Sequence, residues 1–320
     1  MPLPPRHTQF APGLDVAARS AAGVGEVVRA ENQDNYLLID ATGLAHFLKD
    51  QAPHERRIAG WHAGHARIAV LDGMGGHGRG REAAEAVVEG LLALPPCNSL
   101  NELSAHLDAL HTRLQRHFGS DGPDEKRPGT TLTLLELRPG QAAMLYHVGD
   151  SRLYEVGNGR VTPLTIDHVP ATACAMTGLL DEGEWWQQVH GEHRSQISQA
   201  FILGNAFSNT AELSDPLYPL SPLNLPPYLY HLPDRRALEL QPGMAYVLAS
   251  DGFWACAEPV APILRWPALL DACHSASAMC DALFDAMALT PPIELYPDNL
   301  TAIVVRPYAP SETALPVAAP

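Results

Sequence analysis

Four short apolar runs in this 320-residue sequence adjoin an aspartate, and this pattern constrains the fold most strongly. Three runs lead to Asp72, Asp150 and Asp251, and the fourth follows shortly after Asp298. A carboxylate at a strand end is held by a rigid scaffold, and several such carboxylates brought together repel one another unless a cation neutralises them. Hard divalent ions such as Mg²⁺ and Mn²⁺ prefer oxygen ligands. The pattern therefore predicts a strand-rich core and favours a divalent-metal site at the strand ends.

Each of these aspartates also has a simpler interpretation. Asp-Gly is a common turn dipeptide, and it occurs here at Asp72-Gly73 and Asp251-Gly252. Taken singly, each site is more typical of a turn, whereas the four sites together favour metal binding. A histidine-based metal site is disfavoured despite the 15 histidines, because no HExxH or HxxxH spacing occurs.

The charge balance argues against two classes of partner. Asp and Glu number 36 and Lys and Arg number 21, so the net charge is −15. Nucleic acids and anionic membranes both select basic surfaces, so neither is expected as a partner. The apolar runs are too short to span a bilayer, and the first ten residues lack the apolar stretch of a secretory signal. The five cysteines contain no CxxC pair, which is typical of reduced thiols in a cytoplasmic protein.

Periodicity and breaker residues predict alternating strands and helices. Helices are expected at 81–94, within 187–203 and within 262–289. A further helix is expected to begin at the capping-box pattern of Ser99 and Glu102. Residues 41–66 are expected to form a long connection with a short helix around Ala45–Lys49. Strands are predicted at Val24–Arg29, Tyr36–Asp40, Arg67–Leu71, Thr130–Leu137, Ala142–Val148, Arg152–Val156, Arg160–Leu164, Met244–Ala249 and Leu300–Val305.

We expect one domain at 15–307, between flexible tails at 1–14 and 308–320. Residues 214–233 contain six prolines and cannot form a regular helix, so an ordered extended segment is predicted there. The 41–66 and 214–233 segments are longer than a minimal domain needs, and such additions often carry a partner surface.

Seven short segments, taken in order, resemble the motifs of the protein phosphatase 2C family, the metal-dependent (PPM) serine/threonine phosphatases, and most closely its bacterial branch. They are Arg29–Asp34, Asp72–Gly78, Gly129–Thr131, Gly149–Arg152, Asp167-His168, Ser250–Gly252 and Asp298–Thr301. Each motif is weak alone, but together they span roughly residues 25–305. The resemblance implies an α+β fold, a four-layer α-β-β-α sandwich in which helices flank two mostly antiparallel central sheets.

The resemblance also implies a metal-ligand set. Asp72 is expected to bridge two Mn²⁺ or Mg²⁺ ions, with the carbonyl of Gly73 as a further ligand. Asp251 and Asp298 are expected to complete the shell of the first metal. Asp34 is expected beside the cluster, either as a ligand through water or in hydrogen-bond contact with the ligands.

The same resemblance implies the reaction. Asp150 and Asp251 match positions that can hold a third, weaker metal ion. Arg29 matches the arginine that binds the substrate phosphate, and with Asp72 and Asp251 it forms the expected catalytic set. The implied activity is hydrolysis of phosphoserine and phosphothreonine in proteins by a metal-activated water. We expect a monomer that acts on phosphoproteins and reverses phosphorylation by a bacterial serine/threonine kinase in signalling.

Several alternatives stay open. The chain could be a catalytically weak regulatory or scaffold member of the fold, a phosphatase of a dedicated regulator, or a phosphatase of a small phosphoester. The proton donor is open too, because Met74 stands where the eukaryotic branch often has a histidine and His77 lies nearby. The family's variable flap is placed at about 169–200, where Trp185 and Trp186 are expected to pack against the core.

Overall fold

Two antiparallel sheets form the centre of the fold in a computed structural model that describes residues 9–11, 13–75, 79–119, 127–194, 196–208 and 213–308. One sheet has the order β16 (Arg235–Leu238), β11 (Ala143–Val148), β10 (Leu132–Leu137), β7 (Ala66–Leu71), β4 (Asn35–Ile39), β5 (Leu44–Lys49) and β6 (Ala52–Arg57). The other has the order β1 (Leu14–Ala21), β18 (Leu300–Pro307), β17 (Ala245–Ala249), β12 (Arg152–Gly157) and β13 (Arg160–Pro163). Among the described residues, every strand pairing within the two sheets is antiparallel.

Short ribbons and helices complete the described elements. The ribbons pair β2 (Gly23–Val24) with β3 (Val27–Val28), β8 (Gly73–Met74) with β9 (Gly129–Thr130), and β14 (Gln199–Ala200) with β15 (Gly204–Asn205). The α-helices are α1 (Arg79–Ala93), α2 (Leu100–Phe118), α3 (Pro170–Met176), α4 (Glu182–Trp186), α5 (Val260–Leu264), α6 (Trp266–Asp271) and α7 (Ala276–Leu289).

Three apolar layers hold these elements together. The two sheets pack face to face through alternating inward side chains such as Ile68, Leu135 and Ile303, all fully buried. Helices α1 and α2 cover the outer face of the seven-stranded sheet, and α6 and α7 cover that of the five-stranded sheet. This arrangement is the predicted α-β-β-α sandwich. None of the described helices is long and apolar enough to cross a bilayer.

The predicted start of the second helix is confirmed, but its capping box is only half formed, since the Glu102 carboxylate accepts from the backbone N–H of Asn98 and not of Ser99. Ser99 is the N-cap of α2, and its side chain accepts a hydrogen bond from the backbone N–H of Glu102 at 3.2 Å. The leucines spaced three and four residues apart, Leu103, Leu107 and Leu110, are buried against the sheet. Burying each such side chain contributes roughly 1.5–3 kcal/mol, so one apolar stripe fixes the orientation of the helix.

The prediction for residues 41–66 was wrong. The short helix expected at Ala45–Lys49 is the strand β5, which forms a hairpin with β6 at one edge of the seven-stranded sheet. The hairpin turn consists of Asp50 and Gln51, both of which have positive φ, as a two-residue type I′ turn requires. That turn is usually marked by Asn-Gly or Asp-Gly, so the Asp-Gln sequence did not predict a hairpin.

Two further predictions missed elements. The strand β1, which lies before the first predicted strand, was not predicted because its alanines give only a weak alternation. It nevertheless pairs with β18 over its full length. Among the described residues of 187–203, only Gln187–Gly191 is helical, as a single π-helical segment, while α3 and α4 were not predicted. Of the tails predicted at 1–14 and 308–320, residues 1–8, 12 and 309–320 lie outside the described residues, and the domain boundaries stay a prediction.

The proline-rich segment packs on the flap. Leu220, Leu225 and Leu229 form an apolar cluster with flap residues that include Trp185. Trp185 is buried and its indole N–H donates to the hydroxyl of Thr172, which confirms its predicted packing role, whereas the prediction for Trp186 was wrong, because it is 44% exposed. A deletion within 214–233 would therefore disturb the flap as well as any partner surface.

Candidate metal centre

The predicted aspartates come from strand ends that lie on the same side of the sandwich. In the seven-stranded sheet, Asp72 follows β7 and Asp34 precedes β4, which runs antiparallel to β7. In the five-stranded sheet, Asp251 follows β17, and Asp298 precedes the antiparallel strand β18. The end of one strand and the start of its antiparallel neighbour share a sheet edge, so each sheet contributes a pair of carboxylates. Asp150 follows β11.

The electrostatics of these carboxylates show that they form one cluster. Burial raises the pKa of Asp72 well above its ordinary value, and the charges of Asp34, Asp251, Asp150 and Asp298 raise it further. Burial, opposed by hydrogen bonds, raises the pKa of Asp34 to about 7. Burial and the charge of Asp298 raise the pKa of Asp251 to about 7. Buried carboxylates that resist ionisation in this way are suited to bind cations.

The donor set fits hard divalent ions. Every predicted ligand supplies oxygen. Asp34 is buried, whereas Asp72, Asp150 and Asp251 are half-buried, Asp298 lies at the rim of the cluster, and Gly73 offers its carbonyl. Mg²⁺ and Mn²⁺ select carboxylate, carbonyl and water oxygens. The structure thus brings together all the predicted ligands, while their binding of metal stays a prediction.

The backbone of Asp72 is held by residues from two other motif segments. Its N–H donates to the Thr131 hydroxyl at 2.9 Å, and the Thr131 N–H donates to the Asp72 carbonyl at 2.9 Å. The hydroxyls of Thr131 and Ser151 lie 2.6 Å apart, so Ser151 supports Thr131 in turn. These two motif residues therefore position the predicted bridging ligand.

Asp34 is fixed by the second sheet. The Ser250 hydroxyl donates to the Asp34 carboxylate at 2.7 Å and accepts from the backbone N–H of Thr301 at 2.9 Å. Both groups are buried. The contact joins the start of β4 to the end of β17, and it holds the two sheets at the separation that the cluster requires.

The loop that precedes Asp34 is held by side-chain amides. Gln33 donates its backbone N–H to the Asn299 side chain at 2.8 Å, and Asn299 donates its amide to the carbonyl of Glu31 at 2.9 Å. Asn32 donates its amide to the Ser20 hydroxyl at 2.8 Å. These residues therefore hold the loop against the five-stranded sheet.

The two Asp-Gly glycines are not needed for a left-handed backbone. Neither Gly73 nor Gly252 has a positive φ. A Cβ added at Gly73 would lie 2.4 Å from the carbonyl oxygen of Gln33, and one added at Gly252 would lie 2.1 Å from that of Asn299. Glycine is required because neighbouring backbones pass too close for a side chain. Gly73 lies in the strand β8, so the turn interpretation was wrong there, whereas Asp251–Phe253 form a single 3₁₀ turn.

Arg29 lies at the rim of the cluster. Its Nε donates to the carbonyl of Pro297 at 2.9 Å, and a terminal nitrogen lies 3.0 Å from the carboxylate of Asp298. Its side chain is 49% exposed, so solvent and substrate can reach it. The position is compatible with phosphate binding, which stays a prediction. The alternative proton donor His77 lies outside the described residues.

A buried ion pair that the sequence did not reveal anchors the flap. The Arg152 guanidinium binds the Asp167 carboxylate through two nitrogens at 2.7–3.0 Å and also donates to the Val189 carbonyl at 2.7 Å. Burial raises the pKa of Asp167, whereas Asp167 raises the pKa of Arg152 against the effect of burial. We treat the pair as ionised because the geometry is bidentate and a guanidinium keeps its proton. Both residues lie in motif segments, which was the available signal.

A cavity of about 200 Å³ lies between this anchor and the cluster. Asp150 and Asp251 line it on the metal side, and the flap contributes His193 and Arg194. Arg194 forms an exposed ion pair with Glu192 at 2.6 Å. Sequence reasoning missed these flap residues, because nothing but their place in the variable segment distinguishes them.

Known proteins share this fold and these motifs. The sequence profile described as protein phosphatase 2C matches residues 43–283. Serine/threonine protein phosphatase PstP of Mycobacterium tuberculosis is 29% identical over 158 residues, which are 48% of this chain and 30% of that relative. The chain thus matches less than a third of the length of that relative.

Two solved structures superpose on nearly the whole chain. A serine/threonine phosphatase of S. agalactiae has a TM-score of 0.63 at 20% identity, covering 92% of this chain and 99% of its own. The catalytic domain of PstP in complex with two manganese ions has a TM-score of 0.57 at 23% identity, covering 92% and 99%. At these identities the likeness establishes the fold.

Proposed function

Because the chain belongs to the protein phosphatase 2C family, we propose that it hydrolyses phosphoserine and phosphothreonine in proteins with the help of two Mn²⁺ or Mg²⁺ ions. The observation that carries the proposal is the cluster of aspartates at the strand ends, where burial and the charges of the neighbouring carboxylates raise the pKa of Asp72 well above its ordinary value. The manganese complex of PstP supports the same choice of ions.

Each ligand has an assigned place in this proposal. Asp72 would lie between the two ions, with the Gly73 carbonyl beside it, and Asp251 and Asp298 would complete one shell. Asp34 would act through water or by hydrogen bonding. When bound, the ions supply Lewis acidity, which neutralises phosphoryl oxygens and makes water a better nucleophile near neutral pH.

Three further positions serve the substrate and a weaker ion. Arg29 would bind the phosphate through parallel N–H donors, as its exposed place at the rim allows. Asp150 and Asp251 would hold a third, weaker ion where they line the cavity. The flap side chains opposite would contact the residues that surround the phosphorylated one.

The proposal includes the biological setting. The phosphoprotein substrates would be products of a serine/threonine kinase, whose signalling the enzyme reverses, as the names of its bacterial relatives suggest. The net charge of −15 supports a protein without nucleic acid or membrane partners. The free cysteines support a cytoplasmic protein, which would act as a monomer.

The test measures hydrolysis of an aryl phosphate and of a phosphothreonine peptide, with and without Mn²⁺. The native protein should turn over both only with Mn²⁺, and Asp251→Asn should lose roughly 100-fold or more, since even indirect metal contacts are worth 10–100-fold. Asp285→Asn, an exposed carboxylate on α7, is the matched control and should retain activity. Absence of Mn²⁺-dependent turnover would refute the enzyme proposal in favour of a scaffold role. Turnover of the aryl phosphate alone would point to a small phosphoester.

A further inference from the structure

A second group of metal-binding side chains lies at the turn between α1 and α2. Cys97, Glu102 and His106 place one ligand atom each within 4.8 Å of one another. Glu102 and His106 are four residues apart on α2, so they share one face of the helix. Cys97 lies just before the helix. Among the described residues, this is the one group of three cysteine, histidine or acidic side chains whose ligand atoms all lie this close together.

The distances match a tetrahedral ion. The sulfur of Cys97 lies 3.6 Å from Nδ1 of His106. Two ligands at about 2.3 Å (Zn–S) and about 2.0–2.1 Å (Zn–N) with a tetrahedral angle lie about 3.6 Å apart. The observed separation therefore needs little adjustment to accept the ion. One carboxylate oxygen of Glu102 accepts from the backbone N–H of Asn98 at 2.8 Å, which orients the carboxylate beside the thiol.

The backbone of Cys97 is held by a buried network of hydrogen bonds. Its N–H donates to the buried carboxylate of Glu136 at 3.0 Å, and Glu136 forms a fully buried ion pair with Arg67. The same guanidinium donates to carbonyls at the end of α1, including that of Leu91 at 2.7 Å. Because this network fixes the turn, the thiol is preorganised against the first turns of α2.

We propose that Cys97, Glu102 and His106 bind one Zn²⁺ ion, which ties the α1–α2 turn to α2. Sulfur and imidazole ligands select Zn²⁺ over the hard ions that suit the aspartate cluster. Three protein ligands leave the fourth tetrahedral position to water. Cys97 is buried while Glu102 and His106 are half-buried, so the ion lies at the edge of the core.

The two sites are separate. Arg67, beneath the zinc site, lies near the start of β7, and Asp72 follows its end. Five residues of strand span about 17 Å, so the two kinds of ion bind independently. On zinc binding the Cys97 thiol loses its proton to solvent, because the thiolate is the ligand. The inference does not depend on phosphatase activity.

Cobalt titration of the full chain tests the proposal, because a thiolate bound to Co²⁺ gives a charge-transfer absorption that aspartate ligands cannot give. With the aspartate cluster first saturated with Mn²⁺, the native protein should bind one equivalent of Co²⁺ with this absorption, and Zn²⁺ should displace it. Cys97→Ser should abolish the absorption, and Glu102→Gln and His106→Gln should weaken Co²⁺ binding at least tenfold.

Cys273→Ser is the matched control, since its half-buried thiol lies elsewhere and donates to the Leu269 carbonyl. It should keep the full absorption, as should Asp251→Asn, which separates this result from any failure of the proposed phosphatase. Should Cys97→Ser not fold, the half-buried His106→Gln still decides. A native protein without the absorption, or a His106→Gln variant that binds Co²⁺ with unchanged affinity, overturns the proposal.

Discussion

The buried contact between Arg152 and Asp167 allows a quantitative prediction for the flap. Their side chains are 3% and 4% exposed, and two guanidinium nitrogens contact the carboxylate. The guanidinium also lies 4.5 Å from the centre of the Trp254 ring and donates to the Tyr154 hydroxyl. Arg152→Met keeps most of the side-chain volume but leaves Asp167 buried without its partner.

Removing one member of a buried ion pair costs about 3–5 kcal/mol of unfolding free energy, because the remaining charge is uncompensated. For a domain of this size, with an unfolding entropy of about 0.6 kcal/mol/K, that loss lowers the melting temperature by roughly 5–8 °C. Replacing both members, as Arg152→Met with Asp167→Leu, should restore most of the loss, since an apolar pair of similar volume is often neutral. Arg194→Met breaks an exposed pair and should cost about 1 kcal/mol or less.

Urea unfolding followed by tryptophan fluorescence and circular dichroism measures these differences, with excess Mn²⁺ throughout. The coupling energy between Arg152 and Asp167 is the difference between the summed losses of unfolding free energy in the two single variants and the loss in the double variant. If Arg152→Met costs no more than Arg194→Met, the pair does not anchor the flap. A double variant as unstable as the single one would show that hydrogen bonds to Tyr154 and the flap backbone matter more than the charge pair.

The remaining predictions concern the cluster and its rim. Arg29→Ala should raise the KM for a phosphothreonine peptide about tenfold or more, as expected for losing a charge-assisted hydrogen bond, while Arg29→Lys should lose less. Mn²⁺ binding measured by calorimetry should not weaken, because the change removes a cation 3.0 Å from Asp298; lost binding would contradict the assigned role. The metal-free protein should lose stability as the pH rises from about 4 to 7, because burial raises the pKa of Asp34 and Asp251 to about 7 and the folded state binds more protons than the unfolded chain. Mn²⁺ should reverse this trend, so melting curves with EDTA and with Mn²⁺ that run parallel across this pH range would refute the prediction.

The sequence predicted the strands that carry the cluster, because each is a short apolar run bounded by an aspartate. It did not predict the β5–β6 hairpin, since Asp50 and Gln51 adopt positive φ without the glycine that usually marks such a turn. Nor did it predict why Gly73 and Gly252 are glycines. That reason depends on backbones that are distant in sequence and meet only in the fold.

The contacts around the cluster show a similar limit. Motif matching placed Thr131 and Ser151 near the site, but only the structure shows that they hold the backbone of Asp72. A hydrogen bond between side chains from different strands leaves no periodic trace in a sequence. The same holds for Cys97 and His106, whose approach depends on the path of the α1–α2 turn.

Metal binding and folding must be coupled at the aspartate cluster. Burial, together with repulsion from the other carboxylates, raises the pKa of Asp72 well above its ordinary value, so ionising the cluster without a cation costs folding free energy. Contacts that hold the carboxylates together, such as the hydrogen bond from Ser250 to Asp34, oppose that repulsion. Any ion that binds the folded cluster alone then stabilises the protein in proportion to its affinity and concentration. Weakening the scaffold at Ser250 should therefore weaken metal affinity, even though no ligand is lost.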